Sequence, residues 1–438
     1  MSDPIQQRNT LAARPLNRQD CKTLGLASLG GALEFYDFII FVFFTVVLSK
    51  LFFPPDMPDA LRQIQTFSIF AAGYLARPLG GIAMAHFGDL LGRKKMFTLS
   101  ILMMALPTLM IGLLPTYQQI GIWAPLCLLA LRILQGAAIG GEVPGAWVFV
   151  AEHAPERHTG LACSLITSGL TLGILLGALI AMAMNNLFSP AELEAWAWRV
   201  PFLIGGVFGL VAMYLRKWLH ETPVFLELQA KKNLATELPL KQVLRDHRLS
   251  IAISMLATFL LAVAIVVAIL MTPAYLQKQF AVLPVDALRA NCYAIVALSL
   301  GCVVAGWASD KLGCGLTILI GCTLLGCSSY AFYHTMSHDT SQLALLYPLM
   351  GFTVGIVGAV PLLMIKAFPA AIRFSGLSFS YNVAYAFAGG LTPVILSFWI
   401  KYDVLAPSYY LLLLSMIGVG LGAYLITHQG QQLKHSIR

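Results

Sequence analysis

Five ionisable side chains stand inside otherwise apolar stretches of the chain: Glu34, Asp37, Arg77, Arg132 and Glu142. A charge at mid-membrane costs from about 2.5 to more than about 10 kcal/mol, so each needs a charged partner, a wet cavity or both. Glu34 and Asp37 are three apart, which puts both carboxylates on one face of a helix. At about 1.5 Å per residue, Glu34 stands about 16 Å and Asp37 about 21 Å beyond Thr23, while Arg132 stands about 15 Å beyond Ile122. All three share the middle layer, and depth does not choose the carboxylate that Arg132 meets. A carboxylate whose pairing with a guanidinium forms and breaks as a cavity opens can load and release one proton per cycle. Asp37, Glu34 and Arg132 are therefore a candidate charge network, with a fixed structural salt bridge as the plainer reading.

Arg77, about 18 Å from the outer end of its span, suits bidentate capture of a carboxylate. Equally, it balances Glu34. That geometry leans the substrate toward an organic acid or a zwitterion. Glu142 lies ten residues beyond Arg132, nearer the cytoplasm, as a gate, a proton-release group or the partner of a loop arginine. The C-terminal half offers uncharged candidates for substrate contact: Tyr381, Asn382 and Tyr385, the last two on one helix face, and Tyr275.

These groups need a scaffold of membrane spans. The chain has 438 residues, of which 58% are hydrophobic and 11% charged, against about 25% charged in a globular domain, and mean hydropathy is +0.78. Apolar runs of helix-spanning length, and no short alternating segments, predict an all-α polytopic protein rather than a barrel. Twelve spans are expected, at about 23–51, 66–87, 96–114, 122–151, 159–185, 200–219, 250–272, 291–309, 315–335, 342–366, 374–399 and 407–427. An even number puts both termini on one face. With the N-terminus inside, 20 of the 28 Lys and Arg fall on cytoplasmic segments and six outside, which assigns both termini to the cytoplasm.

The expected domains are a cytoplasmic tail (1–22), a six-helix bundle (23–219), a cytoplasmic linker (220–249), a second six-helix bundle (250–427) and a short tail (428–438). The first span is too long for a signal peptide and should remain. Net charge of +8 reflects this topology and lipid headgroups rather than nucleic acid. Eight scattered cysteines show no metal spacing. No G-x-S-x-G or H-E-x-x-H constellation marks an enzyme, no cofactor beyond a proton gradient is implied, and a monomer is expected. Gly136, Gly140, Gly141 and Gly145, then Gly169, Gly173 and Gly177, form small-residue faces for close helix packing.

The two halves echo each other. HFGDLLGRKK around Asp89 returns as GWASDKLGCG around Asp310, and Pro155, Arg157 and Gly160 return as Pro369, Arg373 and Gly376. Parallel repeats related about the membrane normal, with a site between them near the midplane, are a known transporter plan.

The segments GGALEFYDF (30–38), ARPLGG…HFGDLLGRKK (76–95), RILQGAAIGGE (132–142), WRVPF (198–202) and ETPVF (221–225) together resemble the major facilitator superfamily, and within it the metabolite:proton symporter family. The resemblance covers almost the whole chain and implies a transporter in the cell inner membrane that imports a small polar metabolite with a proton. An exporter or antiporter on the same fold is the alternative. In related sugar:proton symporters an Asp of the first-helix motif pairs with the Arg opening the fourth-helix motif, which implies proton coupling by a pair in which Asp37 accepts the proton and Arg132 stabilises its ionised form, with Glu34 in the same network or on substrate. The signature loop, Asp89, Gly92, Arg93 and Lys94, implies a latch in which Asp89 caps span eleven near Phe374 and pairs with Arg93. Its copy at Asp310 lacks the basic cluster and implies a weaker latch onto span five near Thr159.

Phe35 and Val143 stand where the family commonly has Trp, which argues against a quaternary-ammonium cage. The short end after span twelve implies no osmosensing coiled coil.

Overall fold

The computed structural model describes residues 17–91, 93–216 and 239–435. They are helical with no strands among them. Helix α1 runs Arg18–Phe43 and resumes as Thr45–Phe52; α2 is Asp59–Leu91, α3 Arg93–Leu113, α4 Trp123–His153, α5 Thr159–Leu187 and α6 Arg199–Arg216. The second set is α7 Arg248–Phe280, α8 Pro284–Leu312, α9 Cys314–Met336, α10 Leu343–Ala367, α11 Arg373–Trp399 and α12 Ala406–His435. Among the described residues nine of these are long and apolar enough to span a bilayer, and ten when the segment Pro190–Ala197, bent 49° into α6, is counted with it. The others are α3, whose apolar part Leu99–Leu113 is short, and α11, which is diluted by Ser375, Ser378, Ser380 and Asn382. Together they make the twelve-helix plan expected from the apolar runs.

Local chemistry fixes the ends and breaks. Asn17 accepts from Asp20 N at 2.8 Å while Asp20 accepts from Asn17 N at 2.9 Å, a capping box that starts α1. Pro284 opens α8, where a missing N–H costs nothing. Inside α7 the Thr272 hydroxyl donates to Val267 O, five residues back, within a π segment at Val266–Met271.

The repeat is visible in the packing. A Cβ on Gly136 would fall 1.9 Å from Gly73 O, and one on Gly80 would fall 2.1 Å from Ala137 O, so α2 and α4 touch backbone to backbone. A Cβ on Gly351 would fall 2.3 Å from Ala294 O, and one on Gly301 2.2 Å from Phe352 O, and α8 and α10 touch alike. Gly73 and Gly80 correspond to Ala294 and Gly301, 221 residues on; Gly136 and Ala137 correspond to Gly351 and Phe352, 215 on. Any side chain there would force the helices apart.

Two seams join the six-helix bundles. Along α5 and α8, Cβ atoms on Gly160 and Gly306 would lie 2.7 and 2.6 Å from each other's carbonyl oxygens, and Thr171 and Ser299 share a hydrogen bond of 2.7 Å. Along α2 and α11, the Ser378 hydroxyl donates to Gly81 O at 3.0 Å. Small and hydroxylic groups thus dominate both seams.

Candidate functional site

The α2–α11 seam holds the most distinctive group of side chains. Arg77, 1% exposed, comes from α2 and lies against α11, where its Nε donates a long hydrogen bond of 3.4 Å to Asn382 Oδ1. Its guanidinium carbon stands 4.2 Å from the ring centre of Tyr385, 5.2 Å from that of Tyr381 and 5.6 Å from that of Tyr74. All three lie within the ~6 Å over which a cation is drawn to a ring face. Tyr74 and Tyr385 stack with centres 5.7 Å apart, and Trp147 of α4 meets Tyr381 edge-on at 5.1 Å. Nη2 of Arg77 has no acceptor. Asn382 is anchored from both sides, its amide donating to Gly140 O at 2.6 Å and Ser378 O at 2.8 Å.

The sequence placed Arg77, Tyr381, Asn382 and Tyr385 among substrate-contact candidates, and the fold brings these four together. It does not bring Tyr275 to them. That residue packs on Phe280 and Tyr333 and gives its hydroxyl to Val404 O before α12, so it sits wholly within the second bundle. Tyr74, which sequence reasoning passed over, completes the ring cluster, and its signal was the three-residue spacing to Arg77 on one helix face. The rings that surround a cation here are these tyrosines, not Phe35 or Val143.

Asp37 and Arg132 do not pair, contrary to the expectation from resemblance. Arg132 lies over the rings of Phe41, Phe38 and Phe70 at 4.4, 4.6 and 5.2 Å. Its Nη1 donates to Gln135 Oε1 at 2.9 Å and to Phe38 O at 3.3 Å, while Nε and Nη2 have no acceptor. Asp37, 1% exposed, has neither carboxylate oxygen hydrogen-bonded. The physical reason is helix geometry, because consecutive residues point about 100° apart. Phe38 faces α2 and α4, and Asp37 is turned toward α6, where a Cβ on Gly205 would fall 2.4 Å from Oδ1 and 2.7 Å from the Thr108 methyl. Thr108 also accepts from Gln135 Nε2 at 2.7 Å and gives its own proton to Met104 O, so the chain of hydrogen bonds from Arg132 stops short of Asp37. The Glu34 side chain lies outside the described residues.

Among the gate candidates, Asp310 is fully engaged. Its Oδ1 accepts from Gly160 N and its Oδ2 from Leu161 N, both at 2.8 Å, capping the start of α5 across the seam. The missing basic cluster does not prevent that latch, since a cap needs only a carboxylate and free N–H groups. Gly92 and the side chains of Asp89, Arg93 and Lys94 lie outside the described residues. Arg157 is exposed on the turn before α5. Arg373 reaches across to Glu152 at the end of α4, Nη1 to Oε1 at 3.3 Å, a partner that sequence reasoning did not name. Glu142 is buried on α4, 2% exposed, two residues beyond Gly140.

A model of the Major Facilitator Superfamily matches residues 28–393. The chain is 31% identical over 426 residues to a putative proline/betaine transporter of Staphylococcus aureus, covering 95% of this chain and 90% of that one. It is 32% identical over 429 residues to the inner membrane metabolite transport protein YhjE of Escherichia coli, covering 95% of each. Against the glycine betaine/proline/ectoine/pipecolic acid transporter OusA of Dickeya dadantii it is 30% identical over 433 residues, covering 94% of this chain and 84% of that one. Among solved structures, the proton:xylose symporter XylE bound to 6-bromo-6-deoxy-D-glucose superposes with a TM-score of 0.74 at 18% identity, covering 93% of this chain and 95% of that one.

Proposed function

This chain belongs to the major facilitator superfamily, and from that premise we propose that it imports a small organic acid or zwitterion together with a proton by alternating access. It is a multi-pass membrane transporter rather than an enzyme. The observation that carries the substrate reading is Arg77: a buried guanidinium at the seam between bundles, with one nitrogen lacking an acceptor. A substrate carboxylate is the partner that nitrogen lacks, and a ligand held between α2 and α11 would be touched by both bundles at once. Proline and betaine, carried by relatives according to their names, are zwitterions with one carboxylate each.

Asp37 is the proposed proton carrier. A charge buried without a partner costs several kcal/mol, and protonation removes it. Arg132, held by three rings and Gln135, is then a partner Asp37 meets in another state of the cycle. The bundles 23–219 and 250–427 move about the linker 220–249, in a monomer, with both termini in the cytoplasm as the basic residues direct.

The test is uptake into proteoliposomes loaded with purified protein, using labelled proline, glycine betaine and a dicarboxylate. An inward proton gradient should drive accumulation of at least one. Accumulation driven only by an outward gradient would make the protein an exporter, and indifference to the gradient would remove the proton.

A further inference from the structure

We propose that Arg77 is a tethered stand-in for the cationic group of the substrate: its guanidinium occupies a cage of Tyr74, Tyr381 and Tyr385 that an alkylated ammonium of a zwitterion takes over. This deepens the reading above and rests on it. The three ring centres stand 4.2 to 5.6 Å from the guanidinium carbon, and rings and guanidinium are together buried. An aromatic cluster of this kind is built to hold a positive charge, and here one of the protein's own fills it.

The hold on Arg77 is incomplete, which makes displacement feasible. It rests on the three rings, on neutral tyrosine hydroxyls of Tyr381 and Tyr385 and on one long hydrogen bond of 3.4 Å to Asn382, with no carboxylate among these partners and Nη2 unserved. A zwitterion offers both things at issue. Its ammonium replaces the guanidinium on the rings, and its carboxylate accepts from the displaced guanidinium, which now has the charged partner it lacked. Neither half of the ligand suffices alone: a simple cation would strand Arg77 beside a second positive charge, and a simple anion would leave the cage to Arg77. Asn382, fixed by Gly140 of α4 and by Ser378 one turn earlier on its own helix, keeps α11 in register with α4 during the exchange. Because Tyr74 belongs to the first bundle and Tyr381 and Tyr385 to the second, occupation of the cage is sensed by both.

Three probes separate the contributions: glycine betaine, its uncharged-head carbon isostere 3,3-dimethylbutanoate, and tetramethylammonium. Binding is read by calorimetry on the full-length protein in nanodiscs. The wild type should bind glycine betaine at least about tenfold more tightly than the isostere and should not bind tetramethylammonium. Arg77→Ala should bind tetramethylammonium, since the cage is vacated, and should lose most of its affinity for glycine betaine. Tyr385→Phe should keep the preference for the charged head and Tyr385→Leu should lose it, a pair that remains informative if the arginine variant does not fold. Equal binding of betaine and isostere by the wild type, or no gain of tetramethylammonium binding in a folded Arg77→Ala, overturns the cage. If the isostere is nevertheless taken up with protons, the symporter reading survives that failure; if no probe binds the wild type, the zwitterion cage falls, and gradient-driven uptake of a dicarboxylate alone decides the wider reading.

Discussion

Tyr347 stands in the second bundle where Arg132 stands in the first. The two are 215 residues apart, each four before a helix-crossing glycine, Gly351 and Gly136. Each reaches a main-chain oxygen of the first helix of its own bundle: Tyr347 donates to Ala268 O at 2.8 Å, and Arg132 to Phe38 O at 3.3 Å. The second strut is neutral, and its one phenolic proton is shared between Ala268 O and Asn291 Oδ1, which stands 2.7 Å from the hydroxyl. At this pair of equivalent positions charge is kept only in the first bundle, which is where proton coupling is proposed.

Tyr347→Phe should therefore weaken the protein without uncoupling it. A buried acceptor left unserved costs about 1–3 kcal/mol, to be read as a lower thermal midpoint in detergent, while the response of uptake to a proton gradient stays as in the wild type. A loss of gradient dependence would show that the neutral strut takes part in coupling.

Asp37→Asn should abolish gradient-driven accumulation and retain substrate counterflow, because the amide fits the same space and carries no exchangeable charge. Full accumulation by this variant would remove Asp37 from the proton path.

Asp310→Ala removes two hydrogen bonds to a charged acceptor at the start of α5, worth about 1.5–3 kcal/mol each. Spin labels at the exposed positions Arg157 and Lys311 should report a longer and broader distance than in the unmutated background. An unchanged distribution would mean that the small-residue seam closes without the cap.

Gly136→Ala should be among the most damaging single methyl additions, since the new Cβ would lie 1.9 Å from Gly73 O and overpacking costs about 1–3 kcal/mol or more. Gly25→Ala, with nothing within 4 Å of its Cβ, should be neutral or stabilising by about 0.5–1 kcal/mol. Melting curves of the two variants side by side check both.

What was legible in the sequence followed from strong physical signals. Long apolar runs gave the helices because a bilayer tolerates little else, and the paired turns at Asp89 and Asp310 announced the repeat. Asn382 and Tyr385 were legible as one face of a helix. The partner of Asp37 was not, because two charges at one depth on different helices meet only if both rotations are right, and rotation is set by packing with α6 through Gly205. Tyr74 was overlooked because a tyrosine on an apolar helix is ordinary until Arg77, one turn on, is seen among three rings. Glu152 was missed for a similar reason: its partner Arg373 is 221 residues away.

The burial of Arg77 has a further consequence for energetics across the membrane. On the reading proposed above the guanidinium stays in the site whether the carrier is empty or full, and a zwitterion adds no net charge. The one charge translocated per turnover is then the proton. Membrane voltage would act on uptake through that single charge, worth about 2.3 kcal/mol per 100 mV, so the transport current should be stoichiometric with protons and blind to which zwitterion is carried.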